Sequence, residues 1–117
     1  MYLAIPSSGP TVDDPVDTRL GRAPYFLIVH TETNETEFVS NPYAADSGGV
    51  GPRVVQMLVQ KGVTDLIAPQ IGGHADNALV AAGIRVYLWE GAGTVSSALE
   101  MYRAGRLSLM AGKSGSS

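Results

Sequence analysis

The chain has 117 residues, enough for one domain with one core, and its 44% hydrophobic and 16% charged residues, with 14 glycines and 7 prolines, exclude a disordered chain and fit a turn-rich globular one. A net charge of −3 with 8 scattered Lys and Arg leaves no basic footprint for nucleic acid or an anionic membrane. Zero cysteines remove disulfides, thiolate nucleophiles and the usual thiolate ligands of zinc and iron-sulfur centres.

The opening "MYLAIPSSG" lacks the basic flank and long apolar stretch of a signal peptide, and no run reaches a membrane span, so the expected compartment is the cytoplasm. "YLAIP" predicts a buried first strand, and "SSGPTVDDPVDTRLGRAP" a long loop. "YFLIVHT" (25–31) and "EFVSN" (37–41), separated by a polar turn, predict an antiparallel hairpin. "PYAADSGGVG" is a flexible loop. The first helix is expected to start near Pro52 and stop at Gly62, with Val55, Leu58, Val59 and Met57 buried.

"DLIAP" (65–69) predicts the fourth strand, followed by a helix "HADNALVAA" whose Ala75, Ala78, Leu79 and Ala82 share one face and which Gly83 ends. "IRVYLW" (84–89) is the fifth strand. A third helix capped by Thr94 carries Val95, Ala98, Leu99 and Tyr102 and stops at Gly105. The repeated helix-glycine-strand unit is the pattern of a parallel α/β sheet, and the hairpin makes that sheet mixed. The expected domain spans 1–107, with 108–117 a Gly/Ser-rich flexible tail. "AGKS" in that tail lacks the earlier glycine and the following helix of a phosphate loop.

Three stretches could carry chemistry. "SGGVGP" gives Gly48, Gly49 and Gly51 at a helix entrance, where bare backbone N–H groups can approach an anion or a cluster edge, although glycines also serve simple turns. "IGGHADNA" gives Gly72, Gly73 and His74 the same setting, with an imidazole kept neutral by the helix start and so able to ligate a metal. Asp76 and Asn77 there are ordinary helix-start residues or further ligands. In "VDDPVDTRLGR", Asp17 and Arg19 are close enough for a local ion pair, while Arg19 and Arg22 flank Leu20-Gly21 as a clamp for an anion. The aspartates lack the glycine and bidentate glutamate of a calcium loop, and His30 reads as a packed or sheet-edge residue. No nucleophile, base and orienting acid assemble, so an enzyme is not expected.

Taken together, "VDTRLGRAPYFLIV", "NPYAADSGGVG", "KGVTDLIAPQIGGHADNALVAAGIRVY" and "GTVSSALEMYRAG" resemble, in order and spacing, the dinitrogenase iron-molybdenum cofactor biosynthesis family of NifX-like and NafY-like accessory domains, over about residues 1–107. The resemblance implies an α/β, three-layer ribonuclease H-like motif with helices on both faces and a mixed five-stranded sheet ordered 3-2-1-4-5, strand 2 antiparallel. Nucleases of that fold carry a metal-binding acid on the first strand, and "YLAIP" has none. The resemblance also implies a chaperone-like carrier, not an enzyme, for an iron-molybdenum or iron-sulfur cluster in nitrogen fixation, passing it among cofactor-assembly proteins. Its cluster would lie near Arg19, Gly21 and Arg22, Gly48, Gly49 and Gly51, and Gly72, Gly73 and His74, with His74 the candidate metal ligand and attachment otherwise labile. Two other readings of the same residues are a module for a small anionic metabolite or nucleotide, and a regulatory interaction domain that pairs through the exposed edge "EFVSN".

Overall fold

The computed structural model describes residues 1–17, 19–44, 50–68, 73–89 and 93–109, and for 50–51 and 73–77 the backbone alone. In chain order it forms β1 (Tyr2–Ser7), a 3-10 turn (Leu20–Arg22), β2 (Tyr25–His30), β3 (Thr36–Ser40), α1 (Val50–Gln60), β4 (Val63–Ala68), α2 (Gly73–Ala82), β5 (Arg85–Leu88), α3 (Val95–Arg103) and β6 (Ser108–Leu109). One sheet holds all the strands in the order β3-β2-β1-β4-β5-β6. β1 pairs antiparallel with β2 and parallel with β4, β3 is antiparallel to β2, and β5 is parallel to β4. Thus β1, β3, β4 and β5 run one way, and β2 and β6 the other.

The expected sheet had five strands. A sixth arises because Leu109 and Ser108, at the start of the expected tail, pair antiparallel with Tyr87 and Leu88. A strand of two residues is below what alternation in a sequence can reveal. The expected order of the other five holds.

Residues 3–5 of β1, 26–29 of β2 and 66–68 of β4 are apolar because these stretches are covered on both faces. Ala4, Phe26, Ile28 and Leu66 face Val54, Val55 and Leu58 of α1 and Leu79 of α2. Leu3, Ile5, Leu27, Val29 and Ile67 face Val95, Ala98 and Leu99 of α3. Alternate residues of β1 and β2 therefore feed opposite core clusters, and the sheet lies between two helical layers.

α1 begins at Val50, two residues before the expected Pro52, which still falls in the first turn, where a missing N–H costs nothing. Its buried stripe is Val54, Val55 and Leu58, whereas Val59 is 43% exposed. The helix meets both the sheet and α2, which turns the stripe toward Val54 and away from Val59. Ala82, expected on the buried face of α2, is exposed in its last turn. Gly62, Gly83 and Gly105 close the helices at φ +82°, +74° and +71°, as their positions predicted.

Candidate functional site

Every parallel strand ends at the same edge of the sheet, and α1, α2 and α3 all begin there. From β1 the chain turns to β2 on one side, and from β4 it crosses through α2 to β5 on the other. The neighbouring carboxyl ends of β1 and β4 thus form a topological switch point, a place where open α/β sheets commonly bind ligands.

The loop that leaves β1 is tightly built. Asp17, 4% exposed, donates its backbone N–H to Pro6 O at 3.0 Å. Its carboxylate accepts the Arg19 backbone N–H at 2.8 Å, the Ser8 hydroxyl at 3.2 Å and the Arg19 guanidinium at 3.3 and 3.4 Å. The expected Asp17–Arg19 pair is therefore present, but the guanidinium makes the longest of these bonds and Arg19 remains 66% exposed. If the guanidinium leaves, the buried Asp17 carboxylate keeps the Arg19 backbone N–H and the Ser8 hydroxyl, so Arg19 can turn to an anion at modest cost. Leu20 is buried with Val54 and Val55, which pins the 3-10 turn to α1 and sets Arg19 and Arg22 on either side of it.

Asn41 ties this turn to the next loop. Its side-chain amide donates to Gly21 O at 3.1 Å and Ala23 O at 2.9 Å, and its Oδ1 accepts the Tyr43 N–H at 2.9 Å. Its backbone N–H donates to Pro24 O at 2.9 Å. In the sequence Asn41 stands only as the end of the expected strand "EFVSN". The signal was the Asn-Pro pair directly after a strand, which favours an Asx turn.

Gly51 lies inside the first turn of α1 rather than in the preceding loop, and Gly73 and His74 open α2. Gly48, Gly49 and Gly72 lie outside the described residues, as does the "AGKS" stretch. The backbone thus brings Arg19, Gly21 and Arg22 to the same edge as Gly51, Gly73 and His74. The start of α3 is already occupied: Val95 N–H donates to Asp14 O and Ser96 N–H to Val12 O, both at 2.9 Å, and Ser97 N–H to the Thr94 hydroxyl at 3.1 Å. The Asp14 carboxylate in turn accepts the Thr11 N–H and hydroxyl, which holds together the part of the loop that caps α3.

His30 sits at the opposite end of the sheet, edge-on to Tyr2 at 4.8 Å, with Nδ1 accepting the Thr33 N–H. That is the packed, sheet-edge histidine the sequence suggested. Among the described residues no group of three or more His, Asp and Glu could hold a metal ion. No helix of the described residues is long and apolar enough to cross a membrane.

A second polar cluster, also missed, lies at that far end. A register shift between β1 and β4 turns Asp65 toward α3, where it is fully buried. Its Oδ1 accepts both Arg85 Nε at 3.0 Å and Nη2 at 2.9 Å, and its Oδ2 accepts the Tyr102 hydroxyl at 2.7 Å. Burial, then the bond to Asp65, pushes the Tyr102 hydroxyl well above the usual phenol range, and the same carboxylate holds Arg85 more firmly protonated. Tyr87 packs edge-on against Tyr102 at 5.1 Å. Every carboxylate oxygen is satisfied within this group, which fastens α3 to β4 and β5.

A search of curated sequences returned no significant match. An NMR structure of a Thermotoga protein of the DUF35 family, provisionally named NifB, is 42% identical with a TM-score of 0.84, over 99% of this chain and 98% of that one. The apo form of the orange protein from Desulfovibrio gigas is 33% identical with a TM-score of 0.88, over 97% and 96% of the two chains. The family model described as dinitrogenase iron-molybdenum cofactor matches residues 1–105, and the chain belongs to that family.

Proposed function

We propose that this chain is a non-catalytic carrier for an iron-molybdenum or iron-sulfur cluster in nitrogenase-cofactor assembly, and that the cluster is cargo received from and passed to assembly proteins in the cytoplasm. The observation that carries the reading is that the Arg19–Arg22 turn and the starts of α1 and α2 lie at one edge of the sheet, at the carboxyl ends of the parallel strands. A cluster with net negative charge suits two guanidinium groups and two helix starts. With no cysteine in the chain, thiolate attachment is ruled out, and hydrogen bonds to the cluster's edge or an imidazole remain. In this reading Arg19 and Arg22 clamp the cargo, Gly21, Gly48, Gly49, Gly51, Gly72 and Gly73 let the backbone approach it, and His74 ligates a metal. The ribonuclease H-like motif serves as a binding scaffold without the acidic first strand of a nuclease.

Anaerobic titration of the wild type and His74→Ala with isolated iron-molybdenum cofactor or a reconstituted iron-sulfur cluster tests this. Iron retained through gel filtration and the electron paramagnetic resonance spectrum are the readouts. Uptake that the substitution weakens or spectrally alters supports a carrier with an imidazole ligand. Uptake indifferent to it removes His74 and leaves the arginines and glycines. No uptake by the wild type refutes the carrier function.

A further inference from the structure

Asn41 is 6% exposed, and its hydrogen bonds are divided between two segments. Its amide N–H groups hold the carbonyls of Gly21 and Ala23, on either side of Arg22, while its Oδ1 and backbone fix the first residues of the loop that leads into α1. Leu20 anchors one side of the 3-10 turn in the core, and Asn41 anchors the other. Both carbonyls accept, so only a side chain with two donors and one acceptor in one plane satisfies the junction.

We propose that Asn41 is a positioning residue for the cargo site: it sets the spacing and orientation of the Arg19–Arg22 turn against Tyr43 and Ala44, without touching the cargo itself. This rests on the carrier reading. An aspartate has the same shape and keeps the acceptor for Tyr43, but it turns a carboxylate oxygen toward the carbonyls of Gly21 and Ala23 and repels them.

The test is anaerobic uptake of isolated iron-molybdenum cofactor by the wild type, Asn41→Asp, and Tyr102→Phe as a control destabilised at the far end of the sheet. Near-ultraviolet circular dichroism at the assay temperature selects folded protein. Asn41→Asp should bind about tenfold more weakly, while Tyr102→Phe binds as the wild type does. Because Asn41 acts through the arginines, the same substitution in an Arg19→Ala, Arg22→Ala background should change affinity less than about twofold. Asn41→Ser, which is smaller and uncharged, should lie between Asn41→Asp and the wild type, and it replaces Asn41→Asp in both comparisons if that variant does not fold. Wild-type-like binding by the folded variant, or an equal loss in both backgrounds, overturns the inference alone. Failure of the wild type to bind overturns the carrier reading and this inference with it.

Discussion

Tyr102→Phe removes one oxygen atom and keeps the ring that packs edge-on against Tyr87. The lost bond is 2.7 Å long and ends on a fully buried carboxylate whose other oxygen is already shared by two Arg85 donors. A hydrogen bond to a charged group contributes about 1.5–3 kcal/mol, and because Tyr102 is only half-buried, water can replace part of it, which suggests about 2 kcal/mol. At roughly 2 cal/mol/K of unfolding entropy per residue, a domain of this length should melt about 8 °C lower. Thermal unfolding followed by circular dichroism at neutral pH measures this directly. A fall below about 2 °C would mean that Arg85 alone satisfies Asp65, and the reasoning would fail.

The pH dependence gives a second check on the same bond. The Tyr102 hydroxyl titrates higher folded than unfolded, so its stabilisation is fully present below the unfolded value near pH 10 and is lost as pH rises through the folded value. The gap between the wild type and Tyr102→Phe should therefore be constant from neutrality to about pH 9 and narrow beyond about pH 10. A gap that widens in alkali would contradict the assigned direction.

Arg19→Ala should leave the melting temperature nearly unchanged, a loss of at most about 1 kcal/mol, because Asp17 keeps the residue-19 backbone N–H and the Ser8 hydroxyl. The same variant should take up iron-molybdenum cofactor about tenfold more weakly, as measured by iron retained through gel filtration. Gly62→Ala and Gly83→Ala both place a Cβ at positive φ and should each cost about 1–2 kcal/mol in denaturant unfolding. Gly62→Ala should be the worse, since its Cβ would meet Tyr2 Cδ2 at 3.3 Å while that of Gly83 meets nothing within 4 Å.

Features written in local periodicity and turn chemistry were legible in the sequence. The hairpin, the glycine stops at 62, 83 and 105, the Thr94 cap and the α3 face of Val95, Ala98 and Leu99 all depend on neighbours a few residues apart. Features set by distant partners were not. Asp65 reads as the polar start of a strand until the register shift turns it toward Tyr102, 37 residues away. Asn41 reads as the last residue of a strand until the fold brings Gly21 and Ala23 to its amide. Val59 looked buried because one helix face was counted against one neighbour, whereas α1 has two. Within the candidate site, the glycines and arginines were visible as residue types, while the hydrogen bonds that fix the arginine turn emerged only in three dimensions.

Trp89 follows β5 at the carboxyl edge of the sheet, 5% exposed, with its backbone N–H bonded to Ala68 O at the end of β4. It is the sole tryptophan of the chain, so the molecule carries its own optical gauge at the carboxyl edge of the sheet. A dark iron-containing guest lodged there would quench the indole's emission. Arrival and departure could then be followed in real time on unlabelled protein, and a guest that leaves the emission untouched would be sitting elsewhere.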